Sequence, residues 1–226
     1  MAHLLAEDLL LLLLDDERGT VRGVTIDLRV PLGAAVLVQL ALDGAVRIEE
    51  PASRWHAAKV AVVGGAVSEP VLADALTLAA EKPRAVGDLA NRIGKGLRER
   101  LAQRLADQGV LERREDTVLG LFPRTRWPAR SVAHESEVRE ALRGALLGDR
   151  TPDPRTAVLA GILGALDRIP AVLGVRGEEA RAAKRRARGI ADGDWASEAV
   201  RNAVRSAAAA TTAAVAASVA ATSAGT

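Results

Sequence analysis

The chain has 226 residues, 49% of them hydrophobic and only 2% aromatic, with 31 Lys and Arg against 29 Asp and Glu and no cysteine. A net charge of +2 forces neither a nucleic-acid nor a membrane partner, and so few aromatics leave no stacking platform for single-stranded nucleic acid. The lack of cysteine excludes disulfides, thiolate zinc sites and cysteine nucleophiles.

Neither a repeat nor a Pro/Ser-rich linker divides the sequence. It reads as mainly α, a single helical domain with small β-hairpins over residues 1–205, followed by the Ala-rich end of the last helix and a disordered tail over 206–226. Met1-Ala2-His3 lacks the basic leader of a signal peptide, and the leucines of 9–14 are too few to span a bilayer. The uncharged stretch 206–222 is mostly alanine and too weakly apolar to insert. The expectation is a soluble, cytoplasmic protein.

Residues 4–14 read as a buried helix stopped by Asp15-Asp16-Glu17 and Gly19. Pro31 opens a second helix over 32–42, closed by Asp43-Gly44. Residues 45–49 alternate as a strand, with 59–63 as partner. Ser68 caps a helix that has Glu69 and Pro70 in its first turn and ends near Glu81. Val86, Leu89, Ala90 and Ile93 form one face of a short helix, and Gly94-Lys95-Gly96 turns the chain. A second amphipathic helix, with Leu97, Leu101, Ala102 and Leu105 inward, runs to 108 before Gly109. Residues 110–114 and 118–122 make a hairpin around a turn at Glu115-Asp116. Helices follow over 134–147, over 155–169 (apolar nearly all round), over the charged 178–188 and over 195–217.

Enzyme signatures are missing. His3, His56 and His134 lie far apart and read as satisfied or surface residues, and His134-Glu135 does not extend to a zincin motif. No nucleophile elbow or phosphate-binding loop is present, so neither a metal nor another cofactor is expected, and Asp15-Asp16-Glu17 and Glu49-Glu50 read as turn charges. Two basic groups stand out. Arg92, Lys95 and Arg98 are spaced by three around a helix start, where backbone N–H groups and the helix dipole assist in holding a phosphate. Arg181, Lys184, Arg185, Arg186 and Arg188 read first as a solvated face balanced by Glu178 and Glu179, and second as a face attracted to an anionic membrane.

Residues 86–122 permit two readings. Helix, turn, helix and hairpin is the order of a winged helix-turn-helix, which would set Lys95, Arg98 and Arg100 in a DNA groove and Arg113-Arg114 on the wing. The near-neutral charge and the long apolar remainder disfavour a nucleic-acid partner. The other reading rests on similarity. Residues 4–15 (LLAEDLLLLLLD), residues 32–44 (LGAAVLVQLALDG), the Arg98-Glu99-Arg100-Leu101-Ala102 segment continuing to Leu105 and Gly109-Val110-Leu111, and Asp153-Pro154-Arg155 before an apolar helix run in one order from residue 4 to about 215. In that order they resemble the Golgi phosphoprotein 3 family.

The resemblance implies a central helical bundle and a non-enzymatic peripheral membrane adaptor that binds phosphatidylinositol 4-phosphate. It puts the family's basic pair on Lys95 and Arg98, with Arg92 and Arg29 as further candidates. The family's pocket tryptophan falls near Val24 and its first arginine near Gly33, so half of that pocket is absent, and Arg29 is the nearest substitute. The membrane-contacting hairpin would present Leu119, Leu121 and Phe122, an alternation that core packing explains equally well. The chain opens at the domain, without the basic extension through which eukaryotic relatives contact coat and cargo. Arginine and alanine usage points to a GC-rich, bacterial source. The expected partner is an anionic phospholipid membrane, with no protein cargo identifiable. Self-association through the hairpin, without any lipid site, is a third reading.

Overall fold

The computed structural model describes residues 3–21, 27–49, 58–65, 67–118, 122–190 and 198–223; side chains at 118, 122–123, 198–200, 203 and 216–223 fall outside the description. The chain is mainly α, with ten helices and two small antiparallel sheets among the described residues. Two helices form its centre. Every residue of α1 (Leu5–Leu13) is buried, and so are nine of the fourteen of α2 (Arg29–Leu42). A helix apolar on all sides is stable only when enclosed, and α2 accordingly packs on α1, α3 (Pro70–Glu81), α4 (Val86–Ile93), α5 (Leu97–Asp107), α7 (Pro154–Ala165) and α10 (Glu198–Ser223). The outer layer is completed by α6 (Ala133–Leu146), α8 (Ile169–Leu173) and α9 (Gly177–Ile190). Ala207 and Thr211, both on α10, are fully buried.

The tightest seam is between α2 and α4. A Cβ at Gly33 would stand 1.9 Å from the Ala90 carbonyl oxygen, and one at Gly94 would stand 1.9 Å from that of Arg29. Glycine at both positions lets the two backbones touch, which fixes the start of α2 beside the turn after α4.

β1 (Val46–Glu49) pairs with β2 (Lys59–Val62) in the register Val46 to Val62, and β3 (Arg84–Ala85) adds to the other edge of β2. The first hairpin therefore forms from the strands the sequence predicts, with a two-residue third strand added. α2 starts at Arg29, two residues before Pro31, because proline is tolerated in a first helical turn that has unpaired N–H groups. Glu69, and not Ser68, caps α3: its side chain accepts the Leu72 N–H at 2.9 Å.

The second hairpin is displaced from its expected register. Its strands are β4 (Arg114–Val118) and β5 (Phe122–Arg126), joined through 119–121, and Glu115 and Asp116 lie within β4 opposite Thr125 and Arg124. Asp116 is paired across the strands, while Glu115 is held by Arg113 at 2.5 Å, two residues before it. Arg124 meets Asp116 at 3.0 Å, and Arg126 pairs with the same group. Charge pairing on an exposed ribbon carries no hydrophobic alternation, so a reading based on alternation assigned it to a turn. The Arg124 hydrogen bond holds the Asp116 carboxyl below the usual carboxylate range.

The apolar run 155–169 is also two helices. α7 ends at Ala165, Asp167 takes φ 55°, and the Arg168 N–H reaches back to the Leu163 carbonyl at 2.9 Å while that of Asp167 reaches Gly164 at 3.1 Å. This doubly bonded left-handed ending stops a helix whatever the hydropathy beyond it. At its start, Asp153 accepts the Thr156 N–H at 3.0 Å and its hydroxyl at 2.7 Å. Asp153→Ala is expected to remove about 1 kcal/mol of stability, read as a lower urea midpoint at unchanged slope.

Candidate functional site

The site is built on the turn between α4 and α5. Leu97, Leu101 and Leu105 bury one face of α5 in the core, which leaves its opposite face and first turn at the surface. Gly96 takes φ 69° as the residue before the helix, and no side chain caps it. The Leu97 N–H bonds to the Gly94 carbonyl at 3.1 Å and that of Arg100 to Gly96 at 3.4 Å. The N–H groups of Arg98 and Glu99 have no acceptor among the described residues. Such unfilled donors, with the positive end of the helix dipole, suit an anion.

Three cations stand at this turn. Lys95 is exposed and Arg98 half-buried. Arg29 comes from the first turn of α2, and its Cγ would lie 2.9 Å from a Cβ at Gly94. None of these three side chains has an acidic or hydrogen-bonding partner among the described residues; the Asp27 carboxylate accepts only the Arg29 backbone N–H, at 2.9 Å. The surrounding arginines are all paired. Arg92 is held by Asp88 at 3.4 Å, Arg84 by Glu81 at 2.7 Å, Arg100 by Asp74 at 2.7 Å, and Arg104 by Glu7 at 2.9 Å and Glu69 at 2.7 Å. Of the sequence-stated candidates, Lys95, Arg98 and Arg29 are thus brought together, while Arg92 is engaged elsewhere. Val24, Leu119 and Leu121 lie outside the described residues, as does the side chain of Phe122.

A model of the Golgi phosphoprotein 3 (GPP34) family matches residues 5–207 of the chain. The chain belongs to the Golgi phosphoprotein 3 family. Membership supports an adaptor of Golgi phosphoprotein 3 type. No curated protein matches the chain. The position at which the resemblance expects the family's first arginine, Gly33, is buried against the α4 backbone and admits no side chain. Arg29, one helical turn earlier, is the arginine that stands next to the basic pair.

Of the residues in the winged-helix reading, Lys95 and Arg98 belong to the turn just described, and the other three are committed to carboxylates. Besides Arg100, Arg113 bonds to Glu115 at 2.5 Å and Arg114 to Glu112 at 2.9 Å. The Arg114 hydrogen bond lowers the Glu112 pKa against a smaller opposing effect of desolvation. On α9, Arg181 and Arg185 share Glu178 at 3.4 and 3.1 Å, Lys184 meets Asp167 at 2.6 Å, and the Arg186 Nε–H donates to the Ala145 carbonyl. Among the described residues no helix is long and apolar enough to cross a membrane, and no group of three metal-ligating side chains occurs.

Sequence reading missed a buried polar network. Glu7 and Asp8 are 0% and 3% exposed. Glu7 receives Arg104 from α5, and Asp8 receives His134 from α6 and Arg155 from α7, each at 2.7 Å. The signal was present: two adjacent carboxylates inside an otherwise leucine-rich helix must be paired wherever that helix is enclosed.

Proposed function

We propose that the chain is a peripheral membrane adaptor that holds an anionic phospholipid headgroup at the start of α5, with Lys95 and Arg98 on one side and Arg29 on the other. The observation that carries this reading is the contrast in pairing: three cations without a partner among the described residues stand at an uncapped helix start, while the arginines around them are paired with carboxylates. A phosphate there would accept charge-assisted hydrogen bonds from the side chains and from the Arg98 and Glu99 N–H groups. Phosphatidylinositol 4-phosphate is the headgroup the family suggests; a phosphomonoester supplies the charge and oxygens that three cations can use. The joint between β4 and β5 would add apolar contact through Leu119, Leu121 and Phe122. The adaptor role is non-enzymatic, which is what membership of the family suggests.

Co-sedimentation with liposomes containing phosphatidylinositol, its 4-phosphate, cardiolipin or neutral lipid alone tests this. Binding to the 4-phosphate is expected, and Lys95→Ala/Arg98→Ala should weaken it at least about tenfold, since each lost charge near the surface removes about 1 kcal/mol. Arg92→Ala should leave it within about twofold. Unchanged sedimentation of the double variant would remove the site assignment.

A further inference from the structure

Outside this turn, the densest group of titratable side chains surrounds Asp8. Its two oxygens accept from His134 Nε2 and from an Arg155 N–H. Arg155 also donates to the His3 carbonyl at 2.9 Å and to Gln39 of α2 at 2.9 Å. The His3 ring lies on that of His134, with centroids 3.9 Å apart and planes inclined by 26°. Its Nδ1 is buried with no hydrogen-bond partner, 3.8 Å from Glu7 Oε2. Both Glu7 oxygens are already occupied, by the Leu4 N–H at 2.8 Å and by Arg104 at 2.9 Å. Beside the stack lies a cavity of about 400 Å³, walled by Val138 and Ala141 of α6 and by Leu159 of α7.

We propose that the His3–His134 stack is an acid-released latch: with neutral rings it holds His3, just before α1, against the cavity between α6 and α7, and with both rings protonated it lets His3 go and opens that cavity. Neutral imidazoles stack favourably as aromatic faces. Two imidazolium rings at this distance repel, and partial burial strengthens the repulsion. A proton added to His134 leaves its Nε2–H on Asp8. A proton added to His3 meets a second cation across the stack and a third in Arg155, and its nearest carboxylate, Glu7, stands 3.8 Å from Nδ1 and already accepts from Leu4 and Arg104. The carboxylates that face it act in the other direction: Glu7 and Asp8 on α1, and from the cavity wall Glu137 on α6 and Asp153 on α7, the last already bound by Thr156. Burial and then His134 outweigh Glu7 and Asp8, so the His3 pKa lies below its ordinary value.

The sign follows from that direction. A free histidine takes up its proton near pH 6.5, whereas latched His3 does so only at lower pH. The latched form is therefore fully favoured above about pH 6.5 and loses ground as pH falls below it, because the released segment binds the proton first.

Hydrogen exchange of the full chain, corrected for intrinsic chemistry, tests the latch at about pH 7.5 and about pH 5.5. Protection of the amides of residues 4–8 should fall by more than about twofold on acidification, with about tenfold as the most that one histidine can supply over this range, while segments from α2 and α7 keep theirs. In His3→Gln and in His134→Gln the pH ratio should shrink below about twofold. The ratio is the readout, so a variant with a weaker stack still decides the question. A wild type whose amides of residues 4–8 do not respond to pH, an equal fall in His3→Gln, or a parallel fall in α2 would each overturn the proposal.

Discussion

Gly33→Ala is expected to destabilise the chain by at least about 3 kcal/mol, the upper end of the cost of forcing a methyl into a packed interior. The reason is geometric. The added Cβ would stand 1.9 Å from the Ala90 oxygen and 2.7 Å from its carbonyl carbon, and both are backbone atoms within a helix. No rotamer change relieves such an overlap; α2 and α4 have to separate, and α2 is the helix on which six others pack. Urea unfolding should show a large fall in midpoint, and a fall of less than about 1 kcal/mol would mean that the two helices do not touch as described. Gly94→Ala meets the same obstacle at the Arg29 carbonyl, with an added consequence. It pushes the first turn of α2 away from the turn that carries Lys95, so liposome binding should weaken in whatever fraction remains folded.

Arg104→Met is expected to cost about 3 kcal/mol or more, because it leaves a fully buried carboxylate without its counter-charge. Glu7 is 0% exposed, and Arg104 joins it to Glu69 at the start of α3. Burial alone disfavours the Arg104 charge, yet the hydrogen bond and charge of Glu7, together with the charge of Glu69, raise its pKa. Adding Glu7→Gln to Arg104→Met should recover a substantial part of the loss, since a neutral amide carries a much smaller desolvation penalty. Additive losses in this double-mutant cycle would show that the pair is not energetically coupled. The pair also matters to the proposed site: it ties α5 to α1 and α3, and the first turn of α5 carries Arg98.

The helices with strong local signals were legible. Leucine in unbroken succession marked α1 as enclosed, the spacing of Val86, Leu89, Ala90 and Ile93 marked α4, and Gly94-Lys95-Gly96 marked the turn that carries the candidate site. The basic pair Lys95 and Arg98 could be named because its neighbours resemble a family motif. The errors share one cause. Charged residues at Glu115-Asp116 and the left-handed ending at Asp167 owe their conformation to hydrogen-bonded partners, and local hydropathy does not register such partners.

By itself, the sequence determined the fold class, the order of helices, the lack of thiol chemistry and the location of the basic turn, because periodicity, composition and glycine placement act over a few residues. Only the tertiary structure decided which cations are paired and which have no partner among the described residues. Arg92 and Arg98 look alike in sequence, but Asp88 lies one helical turn from the first and no carboxylate among the described residues meets the second. It also decided that Arg29 stands beside Gly94, and that His3 and His134, 131 positions apart, stack over one buried aspartate. Charge pairing depends on distances of a few ångströms between segments remote in the chain, and those distances are set by how the helices pack.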